Sequence, residues 1–211
     1  GTWPRRRRRP ERSTNLEGLY AGSAGAAIIM AKMHSQELVP LLYAGSPLLQ
    51  LKLAKQLADW LVRHPAEAAP LLAGLPLLHQ AAAELNRQME ALQLGHTCAA
   101  CAAKSYGGCC SAYMAANADT PLMVLNILLG VELEMQDHAE DACCFLGATG
   151  CLFIAKPIFC LNYYCSHLRE SIARDDMRNL EKLAAKVLGL QSVWEEQLLA
   201  FLRSSQIPFS S

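Results

Sequence analysis

All nine cysteines of this 211-residue chain fall between Cys98 and Cys165, and no other segment contains one. That confinement constrains the fold more than any other feature. Cysteine above about 8–10% of a short segment goes with disulfides or with metal. Cys98, Cys101, Cys109 and Cys110 form a first group; Cys143, Cys144, Cys151, Cys160 and Cys165 form a second. Four uses compete. Disulfides go with export and an even count. Here the count is odd, and the neighbours Cys109-Cys110 and Cys143-Cys144 would each need distant partners. A redox reading of Cys98-x-x-Cys101 needs a strand before it, and no strand pattern is visible. Packing as a small hydrophobe suits one or two cysteines, not nine in one stretch. Metal binding accounts for most of them. A tight turn through C-x-x-C brings two sulfurs to one ion, and a distant segment supplies the rest. Thiolates select zinc, Cu(I) or iron–sulfur clusters. Adjacent cysteines in extended backbone point to opposite sides, so one of each pair binds while the other packs, or the two serve separate sites.

On either side of this segment the sequence reads as helix. The chain is 52% hydrophobic and 18% charged, enough to build a core, and its apolar residues are mostly alanine and leucine, which favour helices. "PLLQLKLAKQLADWLVRH" puts Leu48, Leu51, Leu53, Leu57, Trp60 and Leu61 on one broad face. Pro47 suits its first turn and His64-Pro65 its end. Pro70 and Pro76 break or kink the start of a second helix, clearest over 77–92, with Gly95 as its C-terminal cap. A short apolar helix is expected near 122–129. After Cys165 a helix carries Leu168, Ile172, Leu180, Leu183 and Val187 and ends at Gly189, and a last short one follows through "SVWEEQLLAFLRS". The expected fold is mainly α, with helical arms that flank a loop-rich cysteine metal-binding module.

Formal net charge is zero, so electrostatics give no general push toward nucleic acid. Residues 1–33 nevertheless carry seven basic residues against Glu11 and Glu17, so the body is mildly acidic. The run Arg5–Arg9 is the one basic tract, in a Pro/Arg-rich leader that reads as disordered. Such a leader is also what sequence translated from upstream of a start at Met30 or Met33 looks like. We read 1–33 as this leader, 34–95 as an N-terminal helical arm, 96–165 as the cysteine module and 166–211 as C-terminal helices, packing with the rest as one domain. No stretch approaches the ~20 apolar residues of a membrane span. "GLYAGSAGAAIIMA" only loosely imitates a signal peptide, with Glu17 interrupting its approach. A cytoplasmic location is expected.

The second cysteine group, "CCFLGATGCLFIAKPIFCLNYYC", resembles the C-terminal half of the CxxCxxCC family, also called the YkgJ family of zinc- or iron-chelating proteins. The family's Cys-Pro-Phe-Leu, Gly-Cys, Arg-Pro, Cys and final Cys are matched by Cys144-Phe145-Leu146, Gly150-Cys151, Pro157, Cys160 and Cys165. Cys98, Cys101, Cys109 and Cys110 resemble its first half. The resemblance covers about 70 residues, 96–165, and implies eight metal ligands: Cys98, Cys101, Cys109, Cys110, Cys144, Cys151, Cys160 and Cys165. Three departures stand out. Seven residues separate Cys101 from Cys109; the proline between the cysteine and Phe-Leu is missing and Cys143 precedes Cys144, so that one of the two is an extra thiol; and Lys156 replaces the arginine before Pro157. The resemblance implies chelation and leaves any reaction open.

The expected function is therefore binding of zinc or iron, the latter possible as an iron–sulfur cluster. Alternatives are an iron–sulfur redox or radical enzyme, or a protein-interaction module with a structural zinc and an unknown protein partner. His96, His138 and His167 flank the cysteines as ligand or supporting candidates, against a plainer reading as loop or helix histidines. Asp137, Glu140 and Asp141 read as a solvated acidic loop before they read as iron ligands. Tyr163 and Tyr164 read as packing before they read as a shield. Phosphate-binding, dinucleotide, nucleophile-elbow and zincin motifs are missing.

Overall fold

Ser46, Pro47 and the leucine spacing after them start the first long helix. In the computed structural model, which describes residues 39–102, 109–137, 142–162 and 165–204, the Ser46 hydroxyl accepts a hydrogen bond from Leu49 N at 3.4 Å, and α1 runs Pro47–Arg63. A serine cap followed by proline is a favourable start. The helix stops at His64, before Pro65. Leu51, Leu53, Leu57, Trp60 and Leu61 are buried as their spacing predicts, whereas Leu48 on the first turn stays half-exposed. α2 (Ala69–Ala73) and α3 (Leu75–Ala91) carry Pro70 and Pro76 in their first turns. These prolines start helices and kink none, because a first-turn residue has no helical acceptor for an N–H.

Two expected helix ends are not ends. Gly95 does not cap α3. That helix closes at Leu92, Gln93 takes a positive φ of 53°, and α4 (Leu94–Ala102) begins at once with Gly95 inside it. Cys98 and Cys101 accordingly lie on a helix and not in a tight turn. Gly189 lies midway along α9 (Arg174–Ser204), a helix of 31 residues. The two expected C-terminal helices are one there because Leu180, Ala184, Val187, Gln191, Trp194, Leu198 and Leu202 form an unbroken buried stripe. Its packing outweighs the roughly 1 kcal/mol that an interior glycine costs.

The remaining elements are α5 (Ala112–Ala115), α6 (Thr120–Leu128), α7 (Ile158–Asn162) and α8 (Ser166–Ser171), with a minimal hairpin of β1 (Leu146–Gly147) and β2 (Gly150–Cys151). The hairpin is antiparallel, with Leu146 opposite Cys151. The fold is mainly α. α6 packs along α1 and also touches α9, and α3 lies along α9. At the α1–α6 contact the fully buried Thr120 donates its N–H to Gln50 Oε1 at 2.8 Å. One apolar cluster joins Leu57 and Leu61 of α1, Met123 and Leu125 of α6, Phe145 and Phe153 of the cysteine segment, and Leu198 of α9. A second joins Leu85, Leu94, Leu161, Leu168, Leu180 and Val187. The cysteine segment is no separate knob, since its apolar residues complete both clusters. Among the described residues no helix is long and apolar enough to cross a membrane.

Candidate metal centre

The two cysteine groups meet where α4 rests on β2, and the contact is backbone against backbone. A Cβ at Gly95 would stand 2.1 Å from Thr149 O, and a Cβ at Gly150 would stand 2.7 Å from Gly95 Cα. Gly150 also has a φ of +127°, which side-chain-bearing residues rarely adopt. This pair of glycines lets the helix that carries Cys98 seat on the strand that carries Cys151. The chain after the first group is tied to the second as well. Ser111 pairs with Ala142 in an isolated antiparallel bridge, and Cys143 N donates to Cys110 O at 3.3 Å.

Three helices then hold the segment between Cys151 and Cys160 through its main chain. Asn126 of α6 is fully buried; its Oδ1 accepts from Ile154 N (2.8 Å) and Ala155 N (3.0 Å), and its Nδ2 donates to Ala155 O (2.8 Å) and Leu122 O (2.9 Å). Asn86 of α3 donates to Ile154 O at 2.9 Å, and Gln191 of α9 donates to Lys156 O at 3.1 Å. Buried loop backbone needs such partners, because it has no ladder of its own. Lys156 is buried in this clamp. Its ammonium donates to Asn86 Oδ1 at 2.6 Å and to Phe153 O at 2.7 Å. Burial drives the Lys156 pKa down, opposed by Cys151, Cys160, Glu90 and Cys98. Pro157 and α7 follow, with Cys160 N bonded to Pro157 O at 2.9 Å.

All nine thiols are free; Cys109 is exposed and the others are half-buried. Cys110 shares hydrogen bonds with both Cys109 and Cys98. That bond holds the Cys98 thiol below its ordinary range, against the effect of burial. The same interaction brings Cys109 down to about 6, and Cys110, as the proton-keeping partner, is pushed far up. Burial raises Cys143 to about 11 and Cys160 to about 12, and raises Cys144 and Cys151. The interactions also cross between groups. Cys151 feels Cys98, and Cys160 feels Cys151, Cys143 and Cys109. Electrostatic influence thus links thiols of the first group with thiols of the second.

Cys101 lies one turn beyond Cys98 on the same face of α4, Cys144 follows Cys143, and Cys165 is the N-cap residue of α8 and packs on the second apolar cluster. The donor set suits a soft cation in kind, with sulfur from two segments beside a buried ammonium. The sulfurs are not drawn up around a common point: among the described residues, no group of three or more His, Cys, Asp and Glu has the arrangement of a formed metal site. Ligation would require Cys98, Cys109, Cys110, Cys151 and Cys160 to close inward from where they stand.

His96 is exposed on α4, two residues from Cys98 and so on a different face of the helix. Asp137 is exposed, in keeping with a solvated loop. His138, Glu140, Asp141, Tyr163, Tyr164, the His167 side chain and the Arg5–Arg9 run lie outside the described residues. Asn86, Asn126 and Gln191 carry the clamp and were not anticipated from the sequence. Asn126 did leave a signal, as the one amide inside the apolar run "PLMVLNILLGV". Compared with protein-family models, with curated proteins and with solved structures, the chain matches none.

Proposed function

We propose that this chain binds a soft metal ion, zinc or iron, through cysteines of both groups. The observation that supports the reading is the seating of α4, which carries Cys98, on the hairpin strand that carries Cys151, through the Gly95–Gly150 contact. Structural disulfides are a poor alternative, since the nine thiols are free and adjacent pairs cannot readily close on themselves. The resemblance to zinc- or iron-chelating proteins of the CxxCxxCC type supports the same reading. Nine free thiols in two groups are more than the four that close one zinc site, which favours an iron–sulfur cluster or more than one ion. A reducing compartment such as the cytoplasm suits free thiols.

The test is metal analysis and visible spectroscopy of the full chain purified without oxygen. Brown protein that dithionite bleaches identifies a cluster, and colourless protein with one or two zinc ions identifies thiolate zinc. Cys98→Ser and Cys151→Ser should each lose metal. A folded chain that holds no metal, and takes up none on anaerobic reconstitution with zinc or with iron and sulfide, overturns the reading.

A further inference from the structure

We propose that the cavity between α6 and α9 is a binding site for a small organic ammonium ion with an apolar tail. The inference stands apart from the metal-binding reading and from the cysteines. The cavity holds about 150 Å³, and a cavity of that size takes a molecule as large as benzene. Leu122 and Leu125 of α6 and Leu188 and Trp194 of α9 give it apolar walls. The exposed Ser192 also lines it, so it is open to solvent.

Three side chains bring acceptors to this cavity. Asp119, the cap of α6, accepts from Leu122 N at 3.0 Å, and Glu195 of α9 accepts from the Tyr43 hydroxyl. Neither carboxylate enters an ion pair among the described residues. Burial, and then repulsion from Glu195, raise Asp119 to about 6, as expected of two carboxylates that no protein cation neutralises. Gln191, only 9% exposed, lines the same cavity. Its Nε2 donates to Lys156 O at 3.1 Å, and its buried Oε1 has no hydrogen-bond partner among the described residues. Leaving a buried amide oxygen unbonded is costly, so a donor belongs beside it. The amide donor of Asn117, which also lines the cavity, is spent on Tyr113 O at 2.7 Å. Two carboxylates and an unbonded amide oxygen repel an anion. They match the three donors of an ammonium, while the leucines and Trp194 take its tail.

The test is isothermal titration of the full chain in reducing buffer at pH 8, where Asp119 is ionised. The probes are n-butylammonium, 1-butanol and butyrate, which share a short apolar tail and differ at the head. Butylammonium should bind at one site, about 10-fold or more tighter than either of the others. Glu195→Gln keeps an acceptor for Tyr43, and Asp119→Asn keeps the cap. Each should weaken butylammonium binding by about 10–100-fold, the worth of one charge-assisted hydrogen bond. In ¹H–¹⁵N spectra of wild type the probe should move the Gln191 side-chain amide and the Leu122 N–H. The proposal is overturned if wild type binds no butylammonium, or binds butanol or butyrate as tightly. It is equally overturned if both variants bind butylammonium undiminished, or if the Gln191 signal stays in place. The comparison of probes on wild type decides the matter even where a variant does not fold.

Discussion

Two helical glycines of this chain should respond to the same substitution with opposite signs. Gly95→Ala, in the first turn of α4, and Gly189→Ala, in the middle of α9, both remove a glycine from a helix, which by propensity alone stabilises by up to about 1 kcal/mol. At Gly189, in the middle of α9, nothing lies within 4 Å of an added Cβ. That gain should appear in full, as a rise of about 2–4 °C in Tm for a chain of this size. At Gly95 the added carbon would lie 2.1 Å from Thr149 O and 3.3 Å from Gly150 Cα. The first distance is far inside the ~3.5 Å of a favourable carbon contact. The obstacle is main chain, so no rotamer change relieves it, and α4 must lift off the hairpin. Overpacking of this kind costs about 1–3 kcal/mol, and a backbone clash belongs at the upper end. Set against the propensity gain, the net loss is about 2 kcal/mol, or about 4–8 °C in Tm. Urea denaturation followed by far-UV CD, on metal-free protein in reducing buffer, measures both variants. G95A should also weaken metal uptake, because the same contact joins Cys98 to Cys151. If G95A stabilises as G189A does, α4 is not seated on β2, and the argument that the two cysteine groups meet there fails with it.

Two further outcomes are expected. Asn126→Leu leaves Ile154 N, Ala155 N and Ala155 O without partners in a buried place. At about 1–3 kcal/mol for each orphaned group, urea denaturation should show a loss above roughly 3 kcal/mol; a loss below about 1 would mean the 153–156 loop finds other partners. Asp119 caps α6, and burial, then repulsion from Glu195, raises its pKa from 3.8 to about 6. Native protein therefore binds more protons than unfolded protein between those values, so this group's contribution is full below about pH 4 and is lost as pH rises through 6. Asp119→Asn, which keeps a good cap, should raise stability at pH 7 by on the order of 1–2 kcal/mol and flatten the profile between pH 4 and 6. An unchanged pH profile would refute that assignment.

Much of the helical frame was legible because its signals are local. Ser46-Pro47 and His64-Pro65 bracket α1, and Asp119 with Pro121 opens α6, each through the backbone chemistry of two or three residues. Glycine misled at both expected helix ends for one reason: it permits a helix to end without requiring it. Gly189 is carried through by the stripe from Leu180 to Leu202, and Gly95 is reserved for a close approach to a strand 55 residues away. The C-x-x-C spacing likewise suits a turn or two neighbouring positions on a helix, and nothing within the motif chooses between them.

From the linear order of residues alone came a mainly helical chain and a cysteine segment set apart from it. Both depend on composition and short-range spacing, which any stretch of chain carries with it. Only the three-dimensional packing decided how the two cysteine groups come together: that α4 with Cys98 seats on the strand that carries Cys151, and that Lys156 is buried against Asn86 and the Phe153 carbonyl. Those outcomes depend on how α3, α6 and α9 clamp one loop and on how closely two glycine backbones approach. Such contacts join residues far apart in sequence, so no local pattern encodes them.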